Sequence, residues 1–109
     1  MEIKTGKDHD TVIVYVKGRM DALTSVEFEK KLLELIAAGE SRFIINLSQL
    51  DFISSAGLSS ILKTAKQLKK INGKMLFAGL QDTIKDVFKI SGFVTIFKTY
   101  ETEEEALKS

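Results

Sequence analysis

Two kinds of apolar pattern alternate along this chain, and that alternation constrains its fold more than any other feature. Thr11-Val12-Ile13-Val14-Tyr15-Val16-Lys17 is β-branched and almost continuously apolar. That is the pattern of a strand covered on both faces. Arg42-Phe43-Ile44-Ile45-Asn46-Leu47 and Lys74-Met75-Leu76-Phe77-Ala78 read as further strands. Between them lie helical stripes. Phe28, Leu32, Leu35 and Ile36 recur at i, i+4, i+7, i+8, and Leu58, Ile61, Leu62, Ala65 and Leu68 make a second apolar face. Strands alternating with helices imply an α/β chain with a mostly parallel sheet and right-handed crossovers.

The punctuation between these segments completes the order. Met1 to Lys7 is a weaker strand candidate, joined to the next by a turn at Asp8-His9-Asp10. Gly18-Arg19-Met20-Asp21 reads as a loop, and Thr24-Ser25-Val26-Glu27 as a capping box opening the first helix. Gly39 suits the position after that helix. Ser48 to Ser54 and Gly79-Leu80-Gln81 read as loops. Asp82 is placed to cap a third helix bearing Ile84, Val87 and Phe88, closed by Ser91-Gly92. Thr95-Ile96-Phe97-Lys98 reads as a last strand, and Thr102-Glu103-Glu104-Glu105 as a second capping box before a short terminal helix. The expected order is ββαβαβαβα, in one domain over residues 1–109.

Composition removes several function classes. The chain has 109 residues, 44% hydrophobic and 28% charged, with no Cys, no Pro and no Trp. Without Cys there is no thiolate zinc site, iron–sulfur ligation or Cys nucleophile. His9 is the single histidine, too few for a multi-histidine metal centre, and it sits in a polar turn remote from the serine-rich segment described next. A Ser-His-Asp hydrolase is therefore a poor fit. Asp51 lacks the clustered carboxylates that a Mg²⁺-dependent phosphoacceptor needs. No phosphate-binding glycine fingerprint occurs. With 16 basic and 15 acidic residues the net charge is +1, so bulk charge gives no reason to expect nucleic acid or anionic membrane as a partner. The start has no apolar h-region and no run approaches the ~20 residues needed to cross a bilayer; a cytoplasmic location and no cofactor are expected.

One segment stands out. Ligand and partner sites of α/β sheets gather beyond the carboxyl ends of the strands. There Asp51-Phe52-Ile53-Ser54-Ser55-Ala56-Gly57-Leu58 places two serines and a glycine at a strand-to-helix junction. Two readings stand. Either serine suits a helix N-cap. Alternatively, a hydroxyl at a helix N-terminus faces unpaired N–H groups and the positive end of the dipole, where a phosphate of about −1.5 to −2 charges is tolerated. Gly57 fits a close approach of a partner or, equally, close helix–sheet packing.

The same segment resembles the phosphorylation motif of STAS domains, specifically of anti-sigma factor antagonists in bacterial partner switching. That motif runs roughly Asp-Ser-(Ser/Thr/Ala)-Gly-Leu, and here it reads Ser54-Ser55-Ala56-Gly57-Leu58. Gly18-Arg19-Met20-Asp21, Asn72-Gly73-Lys74 and Val87-Phe88-Lys89-Ile90-Ser91-Gly92-Phe93 resemble three further family segments in register. The resemblance implies a STAS fold, with a mostly parallel mixed sheet of about five strands and four helices. It implies a non-enzymatic switch whose unphosphorylated form binds an anti-sigma factor that is also an ATP-dependent serine kinase, and so frees a sigma factor. Phosphorylation releases it and a PP2C-type phosphatase resets it. Carried over by position, Ser55 is the phosphoacceptor with Ser54 as rival. Met20, Asp21, Phe52, Ile53, Ser54, Ala56, Gly57 and Leu58 are the implied partner surface. Two departures stand out: Ser54 where many members have Asp, and Arg19 where many have Glu. The first keeps open a STAS scaffold without a phosphoswitch, as a subunit of a signalling or lipid-transport complex.

Overall fold

Alternation along the chain becomes a single five-stranded sheet in the computed structural model, which describes residues 1–109. Its elements are β1 (Glu2–Asp8), β2 (Thr11–Met20), α1 (Thr24–Ala37), β3 (Arg42–Ile53), α2 (Ser55–Lys70), β4 (Lys74–Ala78), α3 (Asp82–Ile90), α4 (Phe93–Ile96), β5 (Thr99–Tyr100) and α5 (Glu103–Leu107). The strands lie in sequence order. β1 pairs antiparallel with β2 through the His9-Asp10 turn, and every later pair is parallel. The mixed, mostly parallel α/β architecture is the one implied by the sequence, with five helices rather than four.

Both faces of the sheet are covered, which is why β2, β3 and β4 carry continuous apolar runs. On one face Val12, Val14, Val16, Phe43, Ile45 and Phe77 pack with Phe28 and Leu32 of α1, Ile61 and Leu68 of α2, and Ile84 and Phe88 of α3. The other face is smaller. There Ile13, Ile44, Leu76 and Ala78 meet Ala106 of α5. Asn46 ties that helix down, its Nδ2 donating to Glu103 Oε1 at 3.1 Å.

Four local expectations change. The last strand is not Thr95–Lys98. Gly92, at φ +81°, turns the chain into α4, and β5 starts only at Thr99. Phe93 and Phe97 decide this. Spaced i, i+4, they join Phe77 and Phe88 in an edge-to-face cluster with centroids 5.1–5.3 Å apart, and that packing overrides the β propensity of Val94, Thr95 and Ile96. The first capping box is displaced upstream. Asp21 Oδ1 accepts from the N–H groups of Leu23 (3.1 Å) and Thr24 (3.0 Å), while Thr24 Oγ1 accepts from the N–H of Asp21 at 2.8 Å. Thr24 is thus the helical partner and Asp21 the cap. Asp82 lies in the first turn of α3 rather than capping it. Finally, the segments 18–21 and 48–54, expected as loops, are mostly strand, since β2 runs to Met20 and β3 to Ile53.

Phe77 is fully buried at the centre of the aromatic cluster. Phe77→Ala is expected to destabilise the protein by about 3–5 kcal/mol, through lost transfer energy and the cavity left behind. Urea unfolding of the two proteins measures this.

Candidate functional site

β3 reaches the site by an irregular route. Its residues Leu47, Leu50 and Ile53 are buried, a spacing of three rather than the two of a regular strand. The register with β2 explains it. Tyr15 pairs with Asn46 but Lys17 with Gln49, and Gly18 pairs with Leu50 but Arg19 with Phe52. Each shift leaves one extra residue on β3, a bulge that re-aims the side chains after it. The pairing then closes at Arg19–Phe52 and Met20–Ile53, and the N–H of Ser54 donates to the carbonyl of Met20 at 2.9 Å. The ends of β2 and β3 and the start of α2 are thereby locked together. Gln81 joins them from the next crossover, its Nε2 donating to the carbonyl of Ser48 at 3.1 Å.

The two serines separate at this junction. Ser54 is the N-cap of α2: its backbone is extended (φ −94°, ψ 174°) and its Oγ accepts from the N–H of Gly57 at 3.3 Å. Ser55 is the first helical residue and is exposed, its hydroxyl outside the cap. The first turn of α2 contains no acidic residue, whereas Lys69 and Lys70 occupy its last. The positive end of the dipole is therefore uncompensated beside Ser55.

Gly57 is resolved in favour of packing. A Cβ there would lie 2.8 Å from Ile53 Cγ1 and 3.0 Å from both the Cγ and the carbonyl oxygen of Met20. Met20 and Ile53 are buried beneath the junction. These three residues, expected on the partner surface, are buried instead. Of the residues expected there, Phe52 and Ser55 are exposed and Asp21, Ser54, Ala56 and Leu58 are partly buried. Phe52 is 38% exposed. The Arg19 guanidinium sits over its ring, 4.2 Å from the centroid, a cation–π contact that fixes both side chains. Leu23 and Val26, missed in the sequence, stand 83% and 64% exposed at the start of α1. Their signal was available: both fall off the Phe28/Leu32 stripe.

Asp21 is held below the usual carboxylate range. The main cause is the backbone N–H of Thr24, then its hydroxyl, with the Leu23 N–H and the Arg19 charge adding to it. His9 lies at the other end of the sheet, in the turn before β2. A ten-residue strand separates it from this junction, roughly 30 Å at about 3.3 Å per residue. No helix is long and apolar enough to cross a membrane.

Comparison with known proteins places this architecture in a class. The family model of the STAS domain matches residues 2–106, and the chain belongs to that family. A candidate anti-sigma factor antagonist, BtrV of Bordetella bronchiseptica, is 33% identical over 106 residues, covering 97% of this chain and 91% of that protein. The anti-sigma-B factor antagonist of Listeria monocytogenes is 28% identical over 106 residues, covering 96% and 91%. Among solved structures, a candidate anti-sigma factor antagonist of Thermotoga maritima matches with a TM-score of 0.93 at 20% identity, covering 97% and 92% of the two chains. The Bacillus cell fate determinant SpoIIAA in its phosphorylated form matches with a TM-score of 0.78 at 24% identity, covering 98% and 97%. These two structures speak to the fold alone.

Two outcomes follow from the junction. Gly57→Ala gains up to about 1 kcal/mol of helix propensity but meets a backbone oxygen that cannot move aside, at an overpacking cost of about 1–3 kcal/mol. A net loss is expected, read as a lower urea midpoint. Asp21→Ala is expected to lower the midpoint near neutral pH. The bonds are made by the ionised carboxylate, so their contribution is complete above the ordinary aspartate value of 3.8 and is lost as pH falls through the lowered folded value. The gap between variant and wild-type midpoints should therefore close on acidification below 3.8.

Proposed function

We propose that this protein is an anti-sigma factor antagonist whose binding is switched by phosphorylation of Ser55. In its unphosphorylated form it binds an anti-sigma factor that is also an ATP-dependent serine kinase, and the sigma factor is released. The kinase phosphorylates Ser55 and the complex dissociates. A PP2C-type phosphatase restores the binding form. The names of the relatives support the antagonist role, and the geometry of the paired serines supports Ser55 as the acceptor. That geometry is the observation that carries the reading: one hydroxyl is committed to the α2 cap, and the next is exposed on the surface.

Ser54 also fits this reading despite departing from the family pattern. Ser and Asp are about equally good N-caps, so the change preserves the junction. It lowers the acidity of the loop and leaves the fold of the switch intact.

The switch itself is electrostatic. A phosphate on Ser55 brings about −1.5 to −2 charges to a helix N-terminus, where the dipole and free N–H groups favour it. The folded protein tolerates it. A partner packed against Phe52 and Leu58 would instead have to desolvate a dianion. A penalty of about 2.8 kcal/mol is about a hundredfold in Kd.

Incubation with the cognate anti-sigma kinase and ATP, followed by mass spectrometry, is expected to show one phosphate, placed on Ser55 by fragmentation. Ser55→Ala should take up none and stay bound, and Ser55→Asp should bind at least about tenfold more weakly, a loss of ~1.4 kcal/mol. Phosphate on Ser54, or labelling of Ser55→Ala, would overturn the assignment.

A further inference from the structure

Residues beside the serine segment, rather than in it, are placed to choose the partner. That segment follows its family's pattern closely, so it offers little by which one anti-sigma factor is told from another. The start of α1 is different. Leu23 occupies the N-cap position of that helix, where leucine is among the least favoured residues, and Asp21 supplies the cap instead. Val26 is β-branched on an exposed helical turn, also a weak choice for a helix. The two stand 83% and 64% exposed and belong to neither hydrophobic cluster. Residues that oppose the local preference and give nothing to the core are of the kind retained for function.

Both are tied to the junction that presents Ser55. The Leu23 N–H donates to Asp21 Oδ1 at 3.1 Å, the Ser25 N–H to the Asp21 carbonyl at 2.9 Å, and the Ser54 N–H to the Met20 carbonyl at 2.9 Å. The starts of α1 and α2 therefore hang on two adjacent residues, Met20 and Asp21. Val26 follows Leu23 by one turn, on the same side of α1. On the strand leading in, Arg19 is exposed. Its guanidinium is held over the Phe52 ring, and the chain's ion pairs, Lys7–Glu40, His9–Asp8 and Lys85–Glu101, do not engage it. Asp21 feels its charge but is committed to Leu23 and Thr24. An oriented cation without an ion pair has its charge to give to a partner.

We propose that Arg19, Leu23 and Val26 select the partner, by binding an apolar patch of the anti-sigma factor that carries a carboxylate. The inference rests on the reading of this end of the sheet as the anti-sigma factor contact. Leu23 and Val26 lose water-exposed apolar surface against the patch, and Arg19 pairs with the carboxylate. An anti-sigma factor with a basic group at that place is rejected by like charge.

The test is a calorimetric titration of the full chain with the anti-sigma kinase of the phosphorylation assay. Leu23→Ser/Val26→Ser is expected to bind at least about tenfold more weakly than wild type, with an unchanged urea midpoint. Arg19→Gln should lose at least about fivefold and Arg19→Glu more, and the gap between wild type and Arg19→Gln should narrow as salt is raised. Leu33→Ser/Ala37→Ser, at exposed positions further along α1, should bind as wild type. The proposal is overturned if Leu23→Ser/Val26→Ser or Arg19→Glu binds as tightly as wild type, or if Leu33→Ser/Ala37→Ser loses as much as Leu23→Ser/Val26→Ser. If Ser55→Asp weakens binding while these variants do not, this proposal alone fails. If the wild type does not bind the kinase, the reading of the contact fails with it.

Discussion

Everything at the proposed switch depends on one closure, the parallel pairing of the end of β2 with the end of β3. Two bulges on β3 bring Ile53 level with Met20, and the Ser54 N–H completes the pairing on the Met20 carbonyl. Gly57 then lets the first turn of α2 settle onto those two side chains, where any larger residue would meet Ile53 and a fixed carbonyl. Below this closure lie Met20, Ile53 and the core. Above it Phe52 is held by Arg19 and the Asp21 turn by Thr24 and Leu23, while Ser55 stands exposed. In the proposed switch, a hydroxyl placed this way is presented to the kinase by an element that does not itself need to move.

The same closure separates the roles of the charges. Asp21 is consumed locally, capping α1 through Thr24 and Leu23, and its carboxylate is low in pKa for that reason. Arg19 is held against Phe52. Only Ser55 changes charge in the proposed cycle. Because the chain carries a net charge of +1, one phosphate of about −1.5 to −2 reverses the sign of the whole molecule as well as of the surface. Neither effect asks anything of the hydrophobic core, so in the proposed cycle the phosphorylated chain is expected to keep its fold while presenting a different face.

The fold was largely legible because its strongest signals are cumulative. The β-branched runs at Val12–Val16 and Phe43–Ile45 and the stripes on α1 and α2 each rest on many residues that agree. Where the sequence misled, one or two residues outvoted a local pattern. Beyond Leu47 the spacing of buried residues widens to three because of the bulges, so no strand period remains to be seen. At Val94–Ile96 β-branched residues suggest a strand, while Phe93 and Phe97 at helical spacing serve the aromatic cluster instead. The site was legible as a segment but not in depth. The motif marks Ser54 to Leu58, yet only the three-dimensional pairing puts Met20, Ile53 and Gly57 under the surface. The motif points to Ser55 by position, and the cap geometry adds that the Ser54 hydroxyl is committed to α2; Leu23 and Val26 lie outside the serine motif and were legible only as apolar residues off the Phe28/Leu32 stripe.

In the proposed switch, phosphate at Ser55 changes what the surface presents and leaves the fold alone. Comparing backbone amide NMR spectra and hydrogen exchange of the unphosphorylated and Ser55-phosphorylated protein tests it most directly. Shift changes are expected only at the start of α2 and the adjoining ends of β2 and β3, with core amides equally protected in both forms to within about 0.5 kcal/mol. Loss of protection across α2 or the central strands, or shifts spread through the sheet, would contradict it.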